Sequence, residues 1–187
     1  MFIQTEQTPN PATLKFLPGR TVLETGTANF ADQASAARSP LATKLFGLDG
    51  VDGVFLGYDF VTVTKSNDHD WYALKPSILG AIMEAFTTGQ PIMTPDTAEG
   101  ANTPASTAAD GDSDLVVQIK ELIDTRVRPA VAQDGGDIVF HRFDEGVVYL
   151  EMHGSCSGCP SSTATLKSGI ENMLRHYIPE VQEVRAI

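Results

Sequence analysis

One segment that is unsuited to forming a core divides this chain of 187 residues into two parts. Residues 91–113 read PIMTPDTAEGANTPASTAADGDS, which is rich in Pro, Ala, Thr, Gly and Asp and contains no aromatic residue. From Asp96 to Asp114 there are five acidic residues and no basic one. This composition predicts a flexible, extended linker. The chain is therefore expected to hold two small domains, residues 1–90 and 114–187.

The first part, residues 1–90, has the pattern of a small α+β domain. Its first helix is expected to begin at Pro40, with Ser39 as the N-cap. A second helix, over residues 75–89, places Ile78, Ile82, Met83 and Phe86 on one face and is expected to close a sheet. The predicted strands are residues 13–16, 21–24, 54–57 and 60–65.

The second part, residues 114–187, is predicted to fold in the order α-β-β-α-β. An apolar stripe at helical spacing covers residues 113–128, and Pro129 is expected to end that helix. Two β-rich runs, DIVFHRF and GVVYLEMHG, follow and are predicted to form a hairpin. An amphipathic helix around Ile170 and a final strand within EVQEVRAI complete the domain. At this size a domain is stable, but only by a small margin.

The two cysteines of the chain, Cys156 and Cys159, lie in the sequence GSCSGCPSS, between the hairpin and the helix that follows it. Pro160 suits the first turn of that helix because its missing N–H leaves no donor unpaired. Free backbone N–H groups and the helix dipole favour an anion there, which predicts a lowered thiol pKa. A pair with this spacing is typical of a reducing compartment and of redox or metal chemistry.

Redox chemistry is one interpretation of the pair. A thioredoxin-like dithiol oxidoreductase also places two cysteines at a strand-to-helix junction. That fold needs further strands after the helix, however, and only residues 179–187 remain for one short strand. The residues between the cysteines, Ser157 and Gly158, also differ from those expected in that fold.

A metal site is the other interpretation. Two thiolates are too few to close a tetrahedral zinc site or to complete the four-cysteine shell of an iron–sulfur cluster. His153 could supply one more ligand, but at the end of an alternating strand it is equally expected to be exposed, and His141 and His176 are expected on the surface. A two-fold homodimer would bring four thiolates together. A zinc-linked structural dimer satisfies the same ligand count.

Composition excludes several other classes of function. The net charge of −11 argues against nucleic-acid binding, which depends on Lys and Arg. No apolar run is long enough to span a membrane. The N-terminus lacks the pattern of a signal or transit peptide, so a cytoplasmic protein is expected.

No nucleophile–base pair or phosphate loop indicates an enzyme, and His69, in the loop SNDHD, is interpreted as a solvated residue.

Sequence motifs in both parts resemble one family. The segments LIDTRVRPAVAQDGGDIVF and GSCSGCPSSTATLKSGIENMLRHYIPEV resemble the C-terminal NifU-type domain of Nfu iron–sulfur carrier proteins. The segments MFIQTEQTPNPATLKFLPG and SPLATKLFGLDGVDGVFLGYDFVTVTK resemble the Nfu N-terminal domain. The resemblance covers nearly the whole chain except the linker.

The resemblance implies a scaffold or carrier that binds a 4Fe-4S cluster between two subunits of a homodimer and passes it to apo-proteins. Cys156 and Cys159 would be its ligands, with a 2Fe-2S form as an alternative. The implied partners are apo iron–sulfur proteins and the assembly proteins that supply the cluster. The implied location is the bacterial cytoplasm, or the mitochondrial matrix if a targeting peptide has been removed.

Overall fold

The computed structural model describes residues 1–94, 113–157 and 160–187, except for the side chains of residues 160–162. The chain divides into two compact units, Met1–Thr103 and Pro104–Ile187. The predicted linker, residues 91–113, lies outside the described residues apart from its ends. Both units contain helices and sheets, which confirms the predicted α+β class.

The N-terminal unit is built on a five-stranded antiparallel sheet. Its strands are β1 (Gln4–Gln7), β2 (Thr13–Leu17), β3 (Ala28–Phe30), β4 (Val51–Leu56) and β5 (Val61–Lys65). They lie in the order β1-β2-β5-β4-β3. The helices are α1 (Gln33–Ala36), α2 (Pro40–Phe46) and α3 (Trp71–Thr88). Apolar residues of the sheet, α2 and α3 form one core, in which Phe16, Phe30 and Ile78 are fully buried.

Local caps explain where the helices of this unit begin. Ser39 accepts a hydrogen bond from the backbone N–H of Ala42, and Pro40 follows at the first helical position, which confirms the predicted start of α2. The helix α3 begins four residues before the predicted start because Asp70 serves as its N-cap. It ends as predicted at Gly89, which has a left-handed φ of 66°.

One predicted strand of this unit is wrong. Residues 21–24 contain the buried Val22 and Leu23, but they do not join the sheet. The backbone N–H groups of both residues point to one acceptor, the carbonyl oxygen of Tyr58, at 2.7 and 3.2 Å. The edge strands are β1 and β3 instead. Apolar composition therefore located core residues here, but not the backbone pairing, which depends on the neighbouring strand.

The C-terminal unit is built on a three-stranded sheet with the order β6-β7-β8. Its strands are β6 (Gly136–Asp144), β7 (Val147–Gly154) and β8 (Glu183–Ala186), and its helices are α4 (Asp114–Leu122), α5 (Arg128–Gln133) and α6 (Pro160–Tyr177). The hairpin β6–β7 is antiparallel and β7–β8 is parallel. This element order confirms the predicted α-β-β-α-β, because α4 and α5 form one interrupted helix. Apolar side chains of the helices and of one sheet face form a single core.

The predicted break at Pro129 is wrong, because the helix continues through it to Gln133. A π turn, Ile123–Val127, joins α4 to α5, and the N–H of Arg128 bonds to the carbonyl oxygen of Ile123, five residues earlier. Proline inside a regular α-helix lacks a donor and clashes with the carbonyl four residues before it. The wider π turn places Pro129 in the first turn of α5, where both problems are absent.

Within the described residues, no helix is both long enough and apolar enough to span a membrane.

Candidate functional site

The site is built where the hairpin β6–β7 meets the turn before α6. The strand register places Gly136 opposite Gly154, at the end of β7. Gly154 has a φ of 66°, so the chain turns there and carries Ser155 and Cys156 back across the start of β6. Cys156 is 5% exposed and belongs to the apolar core of the unit.

Glycine at position 136 is required by the approach of Cys156. A Cβ at Gly136 would lie 2.5 Å from Cys156 Sγ and 2.8 Å from the carbonyl oxygen of His153. Both distances are shorter than real contacts to Cβ atoms, so one of these groups would have to move. The thiol therefore rests directly against backbone that carries no side chain.

Hydrogen bonds to the segment before β6, within the turn and from α6 hold this turn, which comprises residues 154–157. Ser155 donates its N–H to the carbonyl oxygen of Gly135 at 3.3 Å, and its hydroxyl to the carbonyl oxygen of Asp134. The hydroxyl of Ser157 bonds within the turn, to the carbonyl oxygen of Gly154 at 2.9 Å. From α6, the hydroxyl of Thr163 donates to the carbonyl oxygen of Cys156 at 3.1 Å. The turn is thus attached both to the β6 side and to the helix.

The expected low pKa of the thiol is wrong for Cys156. Burial raises the pKa of this thiol from 9.0 to about 11, and the charges of Asp134 and Asp137 act in the same direction, while a hydrogen bond involving Ser155 opposes them. Removal from water outweighs the effect expected from the helix N-terminus. Cys159, the other predicted ligand, lies outside the described residues.

The raised pKa makes stability depend on pH in a defined direction. Between pH 9 and 11 the unfolded chain loses the Cys156 proton while the folded chain retains it, so the free energy of unfolding falls as the pH rises. The protonated Cys156 thiol contributes at most about 3 kcal/mol to the free energy of unfolding, and this contribution is fully present below pH 9. Urea unfolding at pH 8, 9 and 10.5 measures it. A Cys156→Ala variant should show a smaller decline, and equal declines in both proteins would contradict the assignment.

A buried ion pair anchors the start of β6 beside this turn. The guanidinium of Arg128 donates two hydrogen bonds to the carboxylate of Asp137, at 2.8 and 2.7 Å, and a third to Asp124 at 3.3 Å. The Asp137 side chain is only 4% exposed. Burial lowers the pKa of Arg128, but its hydrogen bonds and charge interactions with the two aspartates outweigh this and raise it. The pair therefore balances a buried negative charge next to Gly136.

His153 is buried, so the interpretation that it is exposed is wrong. It lies opposite Asp137 in the strand register, and its Nε2 is 3.2 Å from Glu151 Oε1. That separation allows an ion pair when the imidazole is protonated, but neither ring nitrogen has a hydrogen-bond partner among the described residues. His141 and His176 are exposed, as predicted. A role for His153 as a ligand remains a prediction.

In the N-terminal unit, His69 is half-buried and makes contacts with two neighbouring loops. Its Nδ1 lies 2.9 Å from the hydroxyl of Ser66, and its Nε2 lies 3.7 Å from a carboxylate oxygen of the exposed Asp49. The ring packs against Gly50, where a Cβ would lie 2.4 Å from it. These contacts join two loops of the unit, which is a structural role.

Among the described residues, no group of three or more His, Cys, Asp and Glu side chains is arranged to hold a metal ion. The sequence had indicated Cys156 but not the groups that place it. Arg128, Asp137 and Ser155 are scattered along the chain and have no characteristic spacing. The adjacent glycines in QDGGD were the available signal for a close approach of backbone.

Substituting Gly136 with alanine should destabilise the C-terminal unit by about 1–3 kcal/mol, because the new Cβ overlaps Cys156 Sγ and the His153 carbonyl. Chemical denaturation followed by circular dichroism measures the loss. The matched control is Gly169→Ala in α6, where nothing lies within 4 Å of the added Cβ. Alanine is the better helix former, so the control should be stabilised by about 0.5–1 kcal/mol. Equal effects at both glycines would show that position 136 is not tightly packed.

Comparison with known families agrees with this two-part architecture. Residues 3–89 match the family model described as "Scaffold protein Nfu/NifU N terminal", and residues 119–185 match the "NifU-like domain" model. The second match contains both cysteines, the ion pair and the two glycines of the site.

Relatives are similar over the full length of the chain. It is 51% identical to the Homo sapiens "NFU1 iron-sulfur cluster scaffold homolog, mitochondrial", over all of this chain and 72% of that protein. It is 53% identical to the Arabidopsis thaliana "NifU-like protein 4, mitochondrial", over 98% of this chain and 65% of that protein. The Drosophila willistoni NFU1 homolog is 50% identical, with 64% of that protein covered. On the evidence of both domain matches and these identities, the chain belongs to the Nfu family of NifU-like scaffold proteins.

Proposed function

We propose that this protein is an iron–sulfur cluster scaffold and carrier. It binds a 4Fe-4S cluster between two subunits through Cys156 and Cys159 and delivers it to apo-proteins. The observation that carries the proposal is the cysteine pair at the strand-to-helix junction of a NifU-like domain. The names of its relatives, which describe iron–sulfur cluster scaffolds, support it.

The residues around Cys156 suit a cluster that is held by sulfur ligands. Cys156 supplies a soft thiolate ligand once its proton is lost, which metal binding drives. Gly136 and Gly154 place no side chain beside this sulfur, which packs directly against Gly136, so a cluster can reach it only after the turn moves. Arg128 offsets the charge of Asp137, which would otherwise oppose an anionic cluster in this place.

Sharing the cluster between subunits accounts for both binding and release. One chain offers two cysteines and an iron–sulfur cluster takes four, so a two-fold homodimer completes the ligand set. Cysteines of an incoming apo-protein can then replace the thiolates one at a time. A site with all four ligands buried in one chain would retain its cluster instead.

Anaerobic reconstitution with iron and sulfide tests the proposal. The expected product absorbs broadly near the blue end of the visible spectrum, has the mass of a dimer and contains about four iron and four sulfide ions per dimer. A 2Fe-2S product would contain half as many iron and sulfide ions per dimer. A colourless dimer that binds zinc alone would overturn the proposal in favour of a structural zinc site. A metal-free monomer that reduces insulin disulfides would instead indicate a dithiol oxidoreductase.

The remaining parts of the chain complete this proposal. We assign residues 1–90 to the recognition of apo-protein clients, residues 91–113 to a flexible acidic tether, and residues 114–187 to cluster binding. The bacterial cytoplasm or the mitochondrial matrix would supply the upstream assembly proteins. Pull-down of an apo iron–sulfur protein by residues 1–90 alone, and not by residues 114–187, is the expected result. Equal capture by both fragments would contradict the assignment.

A further inference from the structure

The position of Cys156 is incompatible with direct binding of a shared cluster. A ligand that bridges two subunits must present its sulfur at the surface of each. Cys156 is instead 5% exposed and packs in the same apolar core as Ile138 and Met152. Its Sγ lies against Gly136, on the inner side of the hairpin. The turn must therefore move before this sulfur can bind a cluster.

The contacts of Ser155 hold the turn in this inward position. Ser155 is 1% exposed and uses both its N–H and its hydroxyl to reach the carbonyl oxygens of Gly135 and Asp134. These two carbonyls belong to the segment that leads into β6, so the bonds attach the turn to the body of the unit. The next residue in the chain is Cys156, which cannot move outward while Ser155 stays in place.

Other features of the turn allow it to open. Gly154 precedes Ser155 and has a left-handed φ, and glycine can leave that conformation at little steric cost. The hydroxyl of Ser157 donates to the carbonyl oxygen of Gly154, within the turn itself. Thr163 provides the second attachment, from α6 to the Cys156 carbonyl.

We propose that Ser155 is a positioning residue that keeps Cys156 retracted in the cluster-free protein, and that cluster loading requires this contact with Asp134 to break. The inference rests on the proposed function, in which Cys156 is a cluster ligand. Retraction shelters an otherwise reactive thiol after a cluster has been delivered. It also makes opening of the turn a step that precedes loading.

Alkylation of the single remaining thiol tests the retraction without any cluster. The full chain carries Cys159→Ser, and the rate of modification of Cys156 by iodoacetamide is followed by mass spectrometry. Adding Ser155→Ala should raise this rate about fivefold to tenfold, since a hydrogen bond contributes up to about 1.5 kcal/mol. Thr163→Val should raise it in the same direction. Ser168→Ala in α6 is the matched control and should change the rate by less than about twofold, because this exposed serine lies outside the turn.

Low concentrations of urea separate local opening from unfolding of the whole unit. Opening of the turn exposes little surface, so the faster rate of Ser155→Ala should be nearly independent of urea. If the alkylation rate of Ser155→Ala rises steeply with urea, in parallel with global unfolding, Ser155 only stabilises the whole unit and the proposal is overturned. A Ser155→Ala alkylation rate equal to that of the Ser168→Ala control would also overturn the proposal.

The same serine variants with both cysteines intact are then compared during anaerobic reconstitution. Ser155→Ala should bind its cluster faster than the parent protein by a similar factor, followed by visible absorbance. If no variant binds a cluster although the alkylation rates differ, the proposed function fails while the retracted position of Cys156 stands. If clusters bind at equal rates in all variants, the role of Ser155 in loading is overturned.

Discussion

Replacing Arg128 with methionine should lower the free energy of unfolding of the C-terminal unit by about 3–5 kcal/mol. Methionine keeps much of the apolar volume but removes all three hydrogen bonds to Asp137 and Asp124. The Asp137 carboxylate, 4% exposed, would then be buried without its counterion. For a unit of this size, such a loss approaches the total stability. Urea unfolding of the full chain, followed by far-ultraviolet circular dichroism, measures it.

The chain contains a matched control for this substitution. Arg185 donates two hydrogen bonds to Glu183, at 3.1 and 3.2 Å, so the two pairs share a bidentate geometry. The Arg185 pair lies on the surface, where water already solvates both charges, so Arg185→Met should lower the free energy of unfolding far less than Arg128→Met does. In the buried pair, Asp137→Leu added to Arg128→Met should recover part of the lost stability, because the buried Asp137 charge is removed together with its counterion. Equal losses from the two arginines would contradict this account.

The second large effect concerns the cluster itself. Cys156→Ala, or Cys159→Ala, should abolish both cluster binding and cluster-induced dimerisation, because either change leaves two of the four thiolates in a dimer. Reconstitution followed by visible absorbance and mass measurement tests this. Cys156→Ala should cost the folded protein only about 1 kcal/mol, the loss expected for one small buried group. A folded but colourless monomer is therefore expected.

Of the two measurements, the mass of the protein tests the link between cluster and dimer more directly than visible absorbance does. If Cys156→Ala protein still forms dimers on reconstitution, the link between cluster and dimer is wrong, even when the cluster is lost. The Ser157→Ala protein is the control, since it changes the turn between the cysteines without removing a sulfur. It should bind its cluster and dimerise like the parent protein.

Local sequence was sufficient for much of the fold. Ser39 and Pro40 marked the start of α2, Gly89 marked the end of α3, and alternating apolar residues located the hairpin β6–β7. Such signals work because caps, turns and the alternation of a strand involve residues only a few positions apart. The prediction of a strand at residues 21–24 was wrong because strand pairing depends on residues distant in the sequence. Here the N–H groups of Val22 and Leu23 bond to the carbonyl oxygen of Tyr58 instead of to a neighbouring strand.

The helix that passes through Pro129 shows a second limit of local signals. Proline usually ends a helix, and the sequence contains no pattern that distinguishes a break from a π turn. The packing of Ile123, Val127 and Val131 in the core favours a helix that continues, since an early end would leave Val131 without its place in that core. Tertiary contacts therefore overrode a strong local preference.

Two mixed domains, a cysteine pair between a strand and a helix, and the family to which those motifs belong can all be inferred from the sequence. The state of the site becomes visible only in the folded structure. It placed Cys156 inside the core, paired Arg128 with Asp137 and attached Ser155 to the segment before β6. The physical reason is that the pKa and accessibility of a thiol depend on how much water its neighbours exclude. Those neighbours come from β6, from the turn after β7 and from α6, which meet only in the folded chain.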